Sequence, residues 1–219
     1  MTALINFDTP AVILNERFLV QRAEMADLAE ILAIYNQSVA GKQATANLTP
    51  VSMAERLEWF NEHINKVNRP IYVVKAMNID TRDIATQNVG QAIIQNNQQM
   101  NVALSVVAWG SFSDLYTRPA YHISSEISIY LHQDYHGQGL GGLLARWMLS
   151  QASSLNIRNV VALIFAHNQP SLSLFTKLGF TQWGYMPQVC DMQGFIADVV
   201  MLGKAVSTEE GLNNNEAKS

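Results

Sequence analysis

Two features of this 219-residue chain could do chemistry: a carboxylate inside an apolar strand, and a run of glycines shortly after it. Residues 123–131 alternate with period two. Ile123, Ser125, Ile127, Ile129 and Leu131 fall on one side, and Ser124, Glu126, Ser128 and Tyr130 on the other. A glutamate in the middle of such a strand is costly to bury unless it has a partner or a task. With Ser124, Ser128 and Tyr130 it makes a polar wall suited to a wet active site; the alternative is a solvent-facing position on an edge strand. A carboxylate so placed can take a proton from a bound group as general base.

The second feature is His136-Gly137-Gln138-Gly139-Leu140-Gly141-Gly142, which runs off the strand into an amphipathic segment. Without Cβ atoms the backbone can approach a ligand closely, and a helix N-terminus offers unpaired N–H groups to an anion such as a pyrophosphate. A plain tight turn is the other reading. No Gly-Lys-Ser/Thr ending follows, which excludes a P-loop, and the glycines at 137, 139, 141 and 142 do not have dinucleotide-fold spacing. His132 and His136 are four apart in a loop with no third ligand near, so no metal is expected. Cys190 has no base near it in sequence and reads as packing.

The elements that must position these groups follow from periodicity. Phe18–Gln21 is a short strand; Leu28, Ile31, Leu32 and Tyr35 lie on one face of a helix. Ser52 and Glu55 form a capping box ahead of a helix whose apolar stripe is Leu57, Phe60 and Ile64. Ile71–Ala76 and Val102–Trp109 are β-branched strands. After the glycines, Leu140, Leu143, Leu144, Trp147 and Met148 make one helical stripe. Val160–Ala166 reads as a buried strand, Pro170 to Leu178 as a short helix stopped by Gly179, and Thr181–Met186 and Ile196–Leu202 as closing strands. Trp59, Trp109, Trp147 and Trp183 are assigned to core or subunit contacts. The fold class is a mixed α/β (α+β) domain with a strand–glycine loop–helix–strand unit at its centre.

Composition narrows the function. With 48% apolar and 15% charged residues the chain suits one ordinary domain, and one cysteine allows no intrachain disulfide, which fits the cytoplasm. A net charge of −4 argues against nucleic acid as a partner, and no apolar run is long enough for a membrane span. Residues 1–14 lack the pattern of a signal peptide. Residues 1–17 are read as an N-terminal extension, 18–204 as the domain and 205–219 as a disordered tail. Nine of the sixteen residues at 86–101 are Asn or Gln, so about 79–101 is read as a polar hairpin insertion, with Val89–Ile94 adding to a strand.

The pattern His136-x-x-Gly139-x-Gly141 after a strand resembles the coenzyme A loop of the GNAT superfamily of N-acetyltransferases, departing only at the histidine, where the family has Gln or Arg. More stretches in register narrow the likeness to the phosphinothricin and methionine sulfoximine/sulfone acetyltransferase branch. These are the helix 27–36, Thr45-Ala46, Arg118-x-Ala120-Tyr121, Glu126-x-x-x-Tyr130, Asn168-x-x-Ser171, Lys177-Leu178-Gly179-Phe180, Met186-Pro187-Gln188-Val189 and Gly194-x-x-x-Asp198. The resemblance covers roughly residues 18 to 204.

It implies a mostly antiparallel sheet flanked by helices and splayed at the strands that bind acetyl-CoA. It further implies that the backbone of Ile129, Tyr130 and Leu131 holds the pantetheine arm. The pyrophosphate would sit on His136, Gly137, Gln138, Gly139, Leu140, Gly141 and Gly142, with Asn168 and Ser171 beside the arm; a turn residue is the bland reading of Asn168. Glu126 becomes the catalytic base. Thr45, Tyr116, Thr117, Arg118, Tyr121, Ile127 and Ser128 form the acceptor side, with Arg118 on the substrate carboxylate or, alternatively, a solvated loop arginine. A homodimer and a small-molecule amine are the implied partners.

Two departures matter. Phe175 occupies the place where relatives often carry Tyr or His to protonate the leaving thiolate, and the aromatic expected between Gly194 and Asp198 is displaced to Phe195. Three functions remain on these grounds. One is acetylation of a small amino-acid-like amine; another is acetylation of a protein N-terminus, lysine or antibiotic amine; the third is a non-catalytic coenzyme A module.

Overall fold

The computed structural model describes residues 11–78 and 103–206. The polar segment around 79–101, its expected strand at Val89–Ile94 and the tail from Ser207 lie outside the described residues. The strands on either side of the segment are antiparallel partners, with Asn78 opposite Ala103.

Eight strands are described: β1 (Val12–Ile13), β2 (Phe18–Arg22), β3 (Ile71–Asn78), β4 (Ala103–Asp114), β5 (Ser124–Leu131), β6 (Asn159–Phe165), β7 (Thr181–Asp191) and β8 (Ile196–Ala205). They form one sheet in the order β1-β2-β3-β4-β5-β6-β8-β7, antiparallel at every step except β5–β6. β1 draws residues 12–13 of the expected extension into the sheet as an edge strand. Among the described residues four α-helices cover its faces: α1 (Leu28–Gly41), α2 (Met53–Ile64), α3 (Leu140–Gln151) and α4 (Gln169–Lys177).

The alternation of β4 and β5 decides which helices lie where. Ala108, Phe112 and Ile127 point to one face, where Leu140, Leu144, Ala145 and Met148 of α3 and Phe175 of α4 complete a core. Trp109 and Tyr130 point to the other, under Ile31, Ile34 and Tyr35 of α1 and Phe60 of α2. Phe175 packs edge-on against Phe180 inside the first core, so the position expected for an acid is structural.

The capping box of α2 forms as expected. The Ser52 hydroxyl accepts the Glu55 amide at 3.3 Å, and the Glu55 carboxylate accepts the Ser52 amide at 2.8 Å. The stripe it launches differs from the expected one. Leu57 and Ile64 are 37% and 49% exposed, whereas Arg56 (5%), Phe60 and His63 (9%) face the sheet. Apolarity misassigned the face because the sheet offers partners that arginine and histidine can use. Arg56 lies over the rings of Tyr35, Trp59 and Trp109, and His63 bonds to Ser113.

Smaller differences concern edges. β7 continues past Met186 to Asp191 through an irregular register, and Leu163 in the otherwise buried β6 is exposed. Trp109 is core; Trp183 is half exposed, with its ring lying where a side chain at Gly203 would be. Cys190 packs beside Phe165, Met192 and Val199, as a packing residue should.

Candidate active site

β5 and β6 are paired only over Ser124–Glu126 against Asn159–Val161. From Ile127 to Leu131, β5 keeps β4 on one side and has no strand partner among the described residues on the other. Backbone groups on such an edge need partners, so it can take an extended ligand as an added strand. The Leu131 carbonyl is already used, because the His136 ring donates to it through Nε2 at 3.1 Å. His136 therefore uses this ring nitrogen within the turn.

The chain then makes one turn of 3-10 helix (133–135) and enters α3. Gly137 and Gly139 have φ of +72° and +79°, the left-handed region that side chains resist. Gly139 is the N-cap of α3 and supplies no side-chain cap, so the first-turn amides are open to an external acceptor. Nothing lies within 4 Å of where a Cβ would stand at Gly137 or Gly139. Gly141 differs: its Cβ would meet Leu174 and Leu131, so it serves helix packing. Gln138 is tied down by a bond from its side chain to the Asp134 carbonyl at 2.7 Å, and Leu140 and Gly142 are buried. A bare helix N-terminus with left-handed glycines, next to an unpaired strand edge, fits a long ligand with a diphosphate at one end.

Glu126 sits where β5 leaves β6, on the α1/α2 side of the sheet. It is half-buried, and no described residue donates to its carboxylate. Burial alone raises its pKa above the ordinary carboxylate value, which makes it a better proton acceptor near neutrality. Three cross-strand pairs make the wall it belongs to: Ser113 opposite Glu126, Ser111 opposite Ser128, and Trp109 opposite Tyr130. Tyr130 stacks on Trp109 with ring centroids 4.5 Å apart, and burial raises its phenol pKa well above the ordinary value, so it stays a neutral phenol.

α2 lies along this wall, with Arg56 at the Tyr130 end and His63 at the Glu126 end. Both were missed from sequence. Their spacing of seven, with Trp59 between them, is a helical face, and its polarity hid it.

Thr45 is buried, 2.6 Å from the Tyr35 hydroxyl, which also donates to Asn47 Oδ1. Tyr35 packs against Tyr130 at 5.0 Å, so Thr45 fixes the aromatic end of the wall. Asn168 caps α4 by accepting the Ser171 amide and donates to the Gln43 carbonyl, which pins the segment after α1 to the end of β6. The bland reading of Asn168 thus holds in part: it is a buried cap. Arg118, Tyr116, Thr117 and Tyr121 lie exposed on the connection into β5, where Tyr116 and Tyr121 meet edge to face at 4.8 Å. Ile127 is buried on the opposite face from Glu126. Among the described residues no group of His, Cys, Asp and Glu could hold a metal, and no helix is long and apolar enough to cross a membrane.

A bare α3 N-terminus beside a half-open parallel strand pair, with a half-buried carboxylate at the fork, fits acyl transfer from an extended donor that carries a diphosphate. The chain belongs to the acetyltransferase (GNAT) family, whose profile matches residues 57–180, and it is an N-acetyltransferase. It is 37% identical over 185 residues to YwnH of Bacillus subtilis, provisionally named phosphinothricin acetyltransferase, covering 84% of this chain and 97% of that one. It is 29% identical to the L-methionine sulfoximine/L-methionine sulfone acetyltransferase of Pseudomonas aeruginosa, over 84% of this chain and 91% of the relative. Among solved structures, a phosphinothricin acetyltransferase of Sinorhizobium meliloti in complex with acetyl-CoA superposes with a TM-score of 0.70 at 25% identity, covering 90% of this chain and 93% of that one.

Proposed function

We propose that the enzyme acetylates the amine of a small amino-acid-like acceptor, of the phosphinothricin and methionine sulfoximine type, by direct attack with Glu126 as general base. The observation that carries this reading is the position of Glu126: half-buried, without an internal donor, at the point where β5 parts from β6. Acetyl-CoA supplies an activated thioester. The edge of β5 at Ile129, Tyr130 and Leu131, with the Leu131 carbonyl kept by His136, holds its arm, and the amides from Gly137 to Gly142 hold its diphosphate, with Asn168 and Ser171 framing the arm. Glu126 takes the ammonium proton of the acceptor, so that the amine is a nucleophile when the donor arrives. Ser128 completes the wall on which the acceptor rests, and Arg118, among Tyr116, Thr117 and Tyr121, receives its carboxylate through a bidentate fork.

The names of the relatives support this acceptor class over a protein N-terminus, lysine or antibiotic amine. Glu126 speaks against a non-catalytic module. The enzyme works in the cytoplasm without a metal, with neither nucleic acid nor membrane as a partner. It acts as a homodimer, a reading supported by the exposed Trp183, Tyr185, Val189 and Ile196 of β7 and β8.

The deciding experiment is a thiol-release screen of amino acids and analogues with acetyl-CoA, repeated with Glu126→Gln. Turnover of an amino-acid-like amine, lost about 10²–10⁴-fold in the variant near neutral pH, is the expected result. Turnover confined to peptides or aminoglycosides would overturn the acceptor, and an unaffected variant would overturn the base.

A further inference from the structure

His63 and Ser113 stand behind Glu126 in an arrangement that fixes where protons can be. Ser113 is the direct cross-strand neighbour of Glu126, so the two side chains rise from the same face with Cβ atoms about 5 Å apart. The Ser113 hydroxyl is 2.9 Å from Nε2 of His63 on α2, and the other ring nitrogen, Nδ1, is 2.9 Å from the Trp59 carbonyl. A carbonyl only accepts, so Nδ1 carries the hydrogen. Burial lowers the His63 pKa and keeps the ring neutral, leaving Nε2 as a bare lone pair. The Ser113 proton must therefore point at His63, and the oxygen lone pairs of Ser113 face away from it.

We infer that His63 is a positioning residue for the transfer reaction: by holding the Ser113 proton it leaves the Ser113 oxygen as an acceptor for the proton that Glu126 takes from the amine. This rests on Glu126 being the base. In the resting state no described residue donates to the carboxylate. When the ammonium gives up its proton, Glu126 becomes a neutral acid whose O–H needs an acceptor, and Ser113 is its direct partner across the strand pair. The hydroxyl chain then runs Glu126 O–H to Ser113 Oγ, and Ser113 O–H to His63 Nε2. No proton is gained or lost beyond the one taken from the amine. A hydrogen bond made only to the protonated form favours proton uptake.

The surrounding charges do not duplicate this effect. Glu62 on α2 and Lys66 just beyond it flank His63, and Asp114 on β4 is neutralised by Lys66 and Arg69. Tyr130 on the same strand as Glu126 stays protonated, and Tyr35 and Arg56 act at the far end of the wall.

The test is the pH dependence of kcat, under saturating acetyl-CoA and acceptor, for the parent enzyme, Ser113→Ala, His63→Ala, His63→Gln and Glu126→Gln. A glutamine at 63 can accept from Ser113 through its oxygen while donating to Trp59. The expected result is that Ser113→Ala and His63→Ala move the acid limb down by roughly one pH unit and lower kcat about tenfold, while His63→Gln restores the limb toward the parent. KM for acetyl-CoA should not move. If His63→Ala fails to fold, Ser113→Ala carries the same prediction alone. An unmoved limb in Ser113→Ala, with Glu126→Gln inactive, overturns this inference and leaves the base in place. A Glu126→Gln enzyme that keeps both rate and limb overturns the base, and this inference with it.

Discussion

Arg56 lies with its guanidinium carbon 3.9 Å from the centre of the Tyr35 ring, and no carboxylate among the described residues pairs with it. Trp59 and Trp109 add further faces at 4.6 and 5.7 Å. The cation is thus held by ring quadrupoles, each worth about 0.5–2 kcal/mol. Its Nε has no acceptor, and burial lowers its pKa. Aromatic faces recover only part of what water would have given this group.

Stability measurements should show that balance. Arg56→Met keeps the length of the stem and removes the uncompensated charge, so its unfolding free energy in urea should stay within about 1 kcal/mol of the parent. Arg56→Ala opens a cavity beneath three aromatic rings and should cost roughly 2–4 kcal/mol. A methionine variant as damaged as the alanine would mean that the charge itself holds α2 on the sheet.

Glu126 should leave a mark on stability of opposite sign to most carboxylates. Its folded pKa is raised by burial, so the folded state binds the proton more tightly than the unfolded chain does. Its favourable contribution is present below the unfolded value, about 4.3, and is lost as pH rises through the folded pKa. Glu126→Gln should therefore be more stable than the parent at about pH 8, with the gap closing by about pH 4. Urea unfolding at both pH values checks this. A variant less stable than the parent at the higher pH would mean that the carboxylate is stabilised by a partner.

The glycine loop separates two roles that looked alike in sequence. Gly139 needs a left-handed φ and has open space around it, whereas Gly141 has neither a positive φ nor open space. Gly139→Val should weaken coenzyme A at least tenfold, about 1.4 kcal/mol. Gly141→Val presses on Leu131 and Leu174, and should lower the melting temperature more than it lowers affinity per unit of folded protein. Calorimetric titration with thermal unfolding distinguishes them; unchanged affinity in Gly139→Val would remove the diphosphate from this loop.

Much of this was legible in the chain because it is written in period and spacing. The two faces came out as read over 124–131, with Ile123 ending the preceding 3-10 turn instead of opening the strand, and the capping box at Ser52 and Glu55 located α2. What escaped was the orientation of α2. Leu57 and Ile64 are the more apolar residues, yet they face outward, because the wall under the helix presents aromatic rings to a guanidinium and a hydroxyl to an imidazole. Those partners belong to β4 and to α1, distant in sequence, and periodicity within one helix carries no record of them. His136 is similar: its bond to Leu131 depends on how the turn closes, which glycine content leaves open.

Arg118 is the remaining side chain whose role the acceptor decides. It is exposed, at the start of the 3-10 turn Pro119–Ile123, and no described acceptor holds its guanidinium. An exposed arginine with no internal bond costs nothing to replace structurally, so Arg118→Ala should unfold like the parent, within about 0.5 kcal/mol. If the fork receives the acceptor carboxylate, the same variant should raise KM for an amino acid roughly tenfold or more, with KM for acetyl-CoA unchanged. Capping the carboxylate as an amide removes the partner from the other side, so the amide should be a poor substrate for the parent enzyme and no worse for Arg118→Ala. Steady-state kinetics of the two enzymes on the acid and its amide close a double-mutant cycle. Equal penalties for the amide in both enzymes would place the carboxylate elsewhere and leave Arg118 a solvated loop residue.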